Sequence, residues 1–271
     1  MMFACTGLCR CKNGITQMRI TVLGCSGGTG CGLRTTALLL DDDILIDAGT
    51  GVGDLAISRM AKIRHIFLTH SHLDHVAGIP LMIDTVFDQL TAPVTLHGRR
   101  ETLQALQAHI FNWVIWPDFS QLPSPERPAV RYQVMAPGEK CVLDGRSLEM
   151  IAVNHTVPAA GYRVECTSGA FAFSGDTTTN DDFWEALNRH SRLDLLMVEA
   201  AFADNEIELS RQARHYCPQL LAEDLGKLHH HPEIYVSHLK PGFEHTIYNQ
   251  CRSAIPNLEV RRLFGGEVFQ L

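Results

Sequence analysis

Phe67-Leu-Thr-His70-Ser-His72-Leu-Asp74-His75-Val-Ala-Gly-Ile-Pro80 is the stretch on which the reading of this chain turns. Ile66–Leu68 reads as a short buried strand, and four side chains able to ligate a metal follow it within six residues. A strand end running into a tight loop aims alternate side chains at one point. His70 and His72 can therefore share one ion, while Asp74 and His75, on the incoming helix turn, can face a second beside it. Imidazole with carboxylate suits Zn²⁺, Mn²⁺ or Fe, whereas Ca²⁺ and Mg²⁺ prefer all-oxygen surroundings. The plain alternative is an accidental cluster in a polar loop, and four donors in this pattern argue against it.

Further donors stand at the ends of other predicted strands. His155 follows Ile151-Ala-Val-Asn, Asp176 follows Phe171-Ala-Phe-Ser-Gly, and His238 follows Ile234-Tyr-Val-Ser. Strands are expected at 19–23, 35–40, 44–46, 66–68, 94–96, 131–135, 147–153, 161–165, 170–173, 195–198 and 234–236, with Asp41-Asp42-Asp43 as a hairpin turn. Helical spacing is read at 52–60, 100–111, 181–189, 218–228 and 245–251. The four prolines of 116–128 mark a loop that could serve as a lid. Strands in hairpins, then strands interleaved with helices, predict two sheets flanked by helices. Neighbouring strand ends meet along one edge of such a sandwich, where a site would be assembled.

Composition bounds the rest. The 271 residues carry 23 Lys and Arg against 30 Asp and Glu, a net charge of −7, and 45% of them are hydrophobic. That is an ordinary globular balance, and it disfavours a wide non-specific grip on nucleic acid. No apolar run approaches the ~20 residues of a membrane span, and no secretory signal is read, so a cytoplasmic protein is expected. Nine cysteines, an odd number at irregular spacing, give no disulfide framework. Cys5, Cys9 and Cys11 cluster near the start without a second ligand pair at zinc-finger spacing. Residues 1–17 read as an N-terminal extension and 18–271 as one domain. Among 14 histidines, the run His229–His231 reads as a solvated turn, and His97 as a core residue or a wall of the site.

The His70-x-His72-x-Asp74-His75 loop resembles the hallmark of the metallo-β-lactamase superfamily, and the resemblance runs from Met18 to the C-terminus. It implies an α/β fold, the αββα sandwich, with a two-metal site on its edge. Carried over, it implies His70, His72 and His155 on a first divalent ion and Asp74, His75 and His238 on a second. Asp176 would bridge the two, and Asp47 of Ile-Asp-Ala-Gly-Thr-Gly would support the ligands from behind. Zinc is the expected metal, with manganese or iron as alternatives. Two such ions acidify a shared water and neutralise the charge of an in-line displacement at phosphorus.

Two phosphodiester-cleaving branches look similar. Leu73 fits the class II cyclic nucleotide phosphodiesterases, although Ile83 and Asp84 depart from their signature. Pro80 and His155-Thr-Val-Pro-Ala-Ala-Gly-Tyr162 resemble the tRNA 3′-processing endonuclease RNase Z. Arg214-His215-Tyr-Cys-Pro218 and Ser237-His238-Leu-Lys240-Pro241 resemble the cyclic nucleotide branch and tip the reading toward it. His215, ahead of a helix whose N-terminus is a ready anion site, is expected to protonate the leaving oxygen or stabilise the charged phosphorane. Asp74 is counted with it as catalytic. Lys240 could hold a phosphate oxygen. The expected substrate is a small phosphodiester, with nucleic acid less favoured and a homodimer usual in both branches. An iron-dependent redox or non-hydrolytic member of the same fold is the reading from a different class.

Overall fold

The computed structural model describes residues 17–271. The expected extension, with Cys5, Cys9 and Cys11, lies outside the described residues but for Gln17.

Fourteen strands form two seven-stranded sheets, and two short ones pair separately. The first half of the chain contributes β1 (Arg19–Gly24), β2 (Ala37–Leu40), β3 (Ile44–Ile46), β4 (His65–Phe67), β5 (Val94–Gly98), the two-residue pair β6 (Pro123–Ser124) and β7 (Arg127–Pro128), and β8 (Val130–Val134). The second half adds β9 (Lys140–Leu143), β10 (Arg146–Val153), β11 (Ala159–Glu165), β12 (Ala170–Phe173), β13 (Leu195–Glu199), β14 (Glu233–Ser237), β15 (Val260–Arg262) and β16 (Val268–Gln270). Their orders are β16-β1-β2-β3-β4-β5-β8 and β15-β14-β13-β12-β11-β10-β9. The helices are α1 (Ile57–Met60), α2 (Leu73–Val76), α3 (Gly78–Val86), α4 (Arg100–His109), α5 (Asp182–Asn188), α6 (Ile207–Ala213), α7 (Pro218–Leu225) and α8 (Glu244–Ala254).

Three apolar clusters follow from this layering. One, with Ile20, Leu38, Phe67, Tyr162 and Phe171, fills the space between the sheets. The others pack α3 and α4 on the first sheet and α5, α7 and α8 on the second. Strands β3, β4, β5 and β8 run parallel, as do β12, β13, β14 and β15. A strand covered on both faces has no solvent side, which is why Leu195–Glu199 reads as a continuous buried run. Parallel strands share one C-terminal edge, and β10, antiparallel to β11 as β11 is to β12, ends on that edge too. All the strand-end donors are thereby delivered to one rim.

At the opposite rim Arg146 of β10 reaches across to the β2–β3 turn. It donates to both Asp43 oxygens at 2.6 and 2.9 Å and to Asp41 at 3.0 Å. At the site rim the sheets are joined by main-chain and hydroxyl bonds. Ala160 N–H donates to Thr69 O at 2.9 Å, His238 N–H to Cys25 O at 2.7 Å, and the Tyr162 hydroxyl to Leu68 O at 2.8 Å.

Several expectations are corrected in detail. The helix read over 52–60 is a 3₁₀ turn at Thr50–Asp54 and the separate one-turn α1. Gly51 is pressed so near β1 that a Cβ there would fall 2.5 Å from Leu23 O, which fixes the turn and breaks the continuity. The 116–128 loop is anchored through buried Phe119, which packs near Phe87 and Phe111, so it is part of the helical layer rather than a free lid. The exposed apolar tip precedes it at Trp113-Val114-Ile115. His97 is a core residue. Its ring stacks on Phe67 at 4.2 Å, and its Nε2 lies 3.0 Å from His65 Nδ1.

Burial, reinforced by the neighbouring His65, pushes the His97 imidazole down from 6.5 to about 4. Between those values the unfolded chain binds a proton that the folded chain does not, so stability held above pH 6.5 is lost as pH falls toward 4. In urea titrations of metal-free protein, we expect the pH-dependent loss in His97→Leu to be smaller than in wild type by up to about 3 kcal/mol. Parallel stability curves for the two proteins would show that His97 is already charged in the folded chain.

Candidate metal centre

The first donors come from the β4 end. The chain bends at Thr69 as it leaves the strand, and His72, in extended conformation, precedes α2, whose single turn presents Asp74 and His75. Asp47 fixes this loop from behind. It ends β3 with φ 55°, a left-handed conformation that Asp tolerates better than most residues. Its Oδ1 accepts from Thr69 N–H at 2.8 Å, and its Oδ2 from the Thr69 hydroxyl and from His75 Nδ1, both at 2.7 Å. Desolvation raises the Asp47 carboxyl, opposed by His75 and Thr69. With Nδ1 bound to Asp47, His75 turns Nε2 into the rim.

The second sheet supplies the remaining donors. His155 follows β10, and its Nδ1 lies 3.0 Å from Arg214 O, so Nδ1–H donates there and Nε2 faces His72 Nδ1 at 3.2 Å. Two nitrogens sharing a tetrahedral zinc stand about 3.3 Å apart, given Zn–N distances near 2 Å. Asp176 follows β12 and lies at the middle of the set. Its Oδ2 is 3.2 Å from His75 Nε2 and 3.7 Å from His70 Nε2, and its Oδ1 is 3.3 Å from His238 Nδ1. Asp74 Oδ2 lies 3.7 Å from His75 Nε2 and 3.9 Å from His238 Nε2. Within each of two groups, His70–His72–His155 and Asp74–His75–Asp176–His238, the donor atoms lie within 4.8 Å of one another.

The fit to cations can be judged from atoms without partners. His70 Nε2, His75 Nε2 and His238 Nδ1 are buried with no hydrogen bond, all pointing at the Asp176 carboxylate. Buried polar nitrogens left unsatisfied are costly, and a cation answers all three at once. Burial holds the His70, His72, His155 and His238 imidazoles below their ordinary value, the neutral state that ligation needs. Desolvation would raise Asp176, but His238, His75 and His70 overcome it and keep the carboxyl well below its usual range. The donor set fits two cations.

His215 joins this rim and makes a third such group with His155 and Asp176. Its ring stacks on His238 at 5.3 Å and meets His155 edge-on at 4.9 Å. Its Nδ1 is 2.7 Å from Oε1 of Glu199, a fully buried residue ending β13 that the sequence reading missed. The available signal was a lone carboxylate closing the apolar run Leu195-Leu-Met-Val. Glu199 also accepts from Thr177, Ala201 and Tyr216 N–H groups, which lock its orientation. Burial depresses the His215 imidazole, but the Glu199 carboxylate outweighs that and leaves it raised. The anion site expected at the following helix is already filled, since Gln219 N–H in the first turn of α7 donates to Asp204 Oδ1 at 2.9 Å. Lys240 donates to Gly27 O at 3.0 Å and lies near His215. Gly27 is obligatory in that contact, because a Cβ would run into the His238 carbonyl.

Comparisons with known proteins agree with this architecture. Residues 42–240 match the family model described as a beta-lactamase superfamily domain. A probable 3′,5′-cyclic-nucleotide phosphodiesterase of Yersinia pestis is 25% identical over 276 residues, covering 83% of this chain and 79% of that protein. A ribonuclease Z of Halorubrum lacusprofundi is 28% identical over 157 residues, 55% of this chain and 48% of that protein. The crystal structure of unliganded yeast PDE1 superposes with a TM-score of 0.81 at 18% identity, covering 95% of this chain and 100% of that one. The metallo-beta-lactamase fold protein YhfI of Bacillus subtilis gives 0.75, also at 18% identity, over 94% of this chain and 100% of its own. These two structures bear on the fold alone. With the family model covering most of the chain and the same sandwich in both neighbours, this chain belongs to the beta-lactamase superfamily.

Proposed function

We propose that the chain is a metal-dependent phosphodiester hydrolase of the 3′,5′-cyclic-nucleotide phosphodiesterase type. The observation that carries this reading is the Glu199–His215 pair, which sets an oriented imidazole against both donor groups of the rim. In this reading His70, His72 and His155 hold one divalent ion, and Asp74, His75 and His238 hold the other. Asp176 lies between them and Asp47 orients His75. Zinc suits this nitrogen-rich set best. When bound, such ions neutralise phosphate charge and acidify water.

The chain's own residues supply the rest. Glu199 occupies Nδ1 of His215, so Nε2 is the nitrogen presented to the rim, and the imidazolium can give its proton to a departing oxygen. Lys240, held by Gly27, adds a fixed positive charge near His215. A chain of net charge −7 thus concentrates cationic groups where its anionic substrate reacts. The match to the Yersinia pestis protein over 83% of the chain supports the cyclic nucleotide branch. An RNase Z-type endonuclease is the second reading, supported by the Halorubrum match. Incubation of metal-loaded protein with cyclic AMP and with a precursor tRNA separates the two.

Asp74→Ala and Asp176→Ala should each abolish hydrolysis of bis(p-nitrophenyl) phosphate in excess metal, with bound metal lowered in elemental analysis; wild-type rates from either would remove the two-cation reading. His215→Ala should keep its metal while turnover falls about 10²–10⁴-fold. Glu199→Gln should also keep its metal, with turnover down about 10–100-fold. Metal loss in His215→Ala would instead make that residue a ligand.

A further inference from the structure

Phe202 stands just beyond β13, two residues after Ala200, and its position is set by the main chain. Its N–H and that of Ala201 both donate to Tyr216 O, at 3.3 and 3.0 Å. The side chain belongs to none of the three apolar clusters and is only partly covered. The ring contacts found for it are with functional groups. The His215 ring lies 5.7 Å away at 62°, and the Lys240 ammonium is 5.8 Å from its centroid. A large apolar side chain normally gains its stability by joining a core. Here it is kept at the rim instead, flanked by an imidazole and an ammonium.

From this placement we propose that Phe202 determines specificity by stacking the nucleobase of a nucleotide phosphodiester whose phosphate lies at the metal centre. The proposal rests on the hydrolase reading above and names the side chain that would hold the base of its substrate. Every base has a π-face, so a phenyl platform selects for a base without choosing among bases, and such stacking is worth about 5–150-fold in affinity. Lys240 and His215, each within 6 Å of the ring, would meet the phosphate that the same ligand carries. The competing role is a spacer that only keeps His215 in place.

The test uses full-length zinc-loaded protein and measures binding of adenosine 5′-monophosphate and ribose 5-phosphate by calorimetry, with bis(p-nitrophenyl) phosphate hydrolysis followed in parallel. Wild type should bind the nucleotide at least 5-fold more tightly than the sugar phosphate. Phe202→Leu should erase that preference with ribose 5-phosphate binding unchanged, and Phe202→Trp should preserve it. Equal binding of both ligands by a wild-type protein that hydrolyses the diester overturns the stacking role and leaves the hydrolase reading standing. A preference that is present and lost in Phe202→Leu, in a protein without hydrolysis, supports the stacking role and overturns the hydrolase reading. Equal weakening of both ligands in Phe202→Leu would assign the ring to spacing and overturn the proposal.

Discussion

The Asp176 carboxylate is the interaction around which the rim is organised. It is buried, and three imidazoles turn a nitrogen toward its two oxygens, at 3.2 to 3.7 Å. A carboxylate in such a place is costly unless positive charge is close. Burial drives His70 and His238 toward the neutral form, so among these three His75, raised by Asp176 and Asp47, is the imidazole that carries positive charge beside it. A divalent cation between carboxylate and imidazole supplies positive charge where the neutral rings do not, which is why the arrangement makes chemical sense as a centre for metal. Behind the rim, Asp47 and Arg214 O fix the rings of His75 and His155, and Glu199 fixes that of His215.

Much of this was legible in the sequence, and the reason is local. His70, His72, Asp74 and His75 lie within six residues, and the chain between them has too little freedom to scatter them. His155, Asp176 and His238 were legible because each directly follows an apolar run, and parallel strands bring their ends to one edge. Glu199 was missed because a single acid after a buried strand looks like an ordinary strand end; only the fold brings Tyr216, Thr177 and His215 around it. The anion site expected ahead of α7 failed for a similar reason, since Asp204 that fills it comes from another turn of chain.

The less legible parts of the fold are its margins. β9, β15 and β16 are short and stand at sheet edges, and β9 alternates between exposed and half-buried residues. β9 is a strand through its hairpin with β10, and β15 and β16 through partners distant in sequence, rather than through local pattern. The 52–60 segment has the right apolar spacing for a helix, yet the close approach of Gly51 to β1 dictates a tighter turn there. Tertiary packing overrode periodicity at that point. The turn also puts Gly49 beneath the Asp74 carbonyl, so the departure from a regular helix helps seat the ligand loop.

The bonds that stitch the two sheets at the rim are largely between main-chain groups, Ala160 to Thr69 and His238 to Cys25 among them. Such stitches belong to no particular side chain. Descendants of this fold can therefore re-letter the lining of the mouth, residue by residue, while the frame that spaces the donors keeps its dimensions. Shared shape at 18% identity is what that freedom leaves behind.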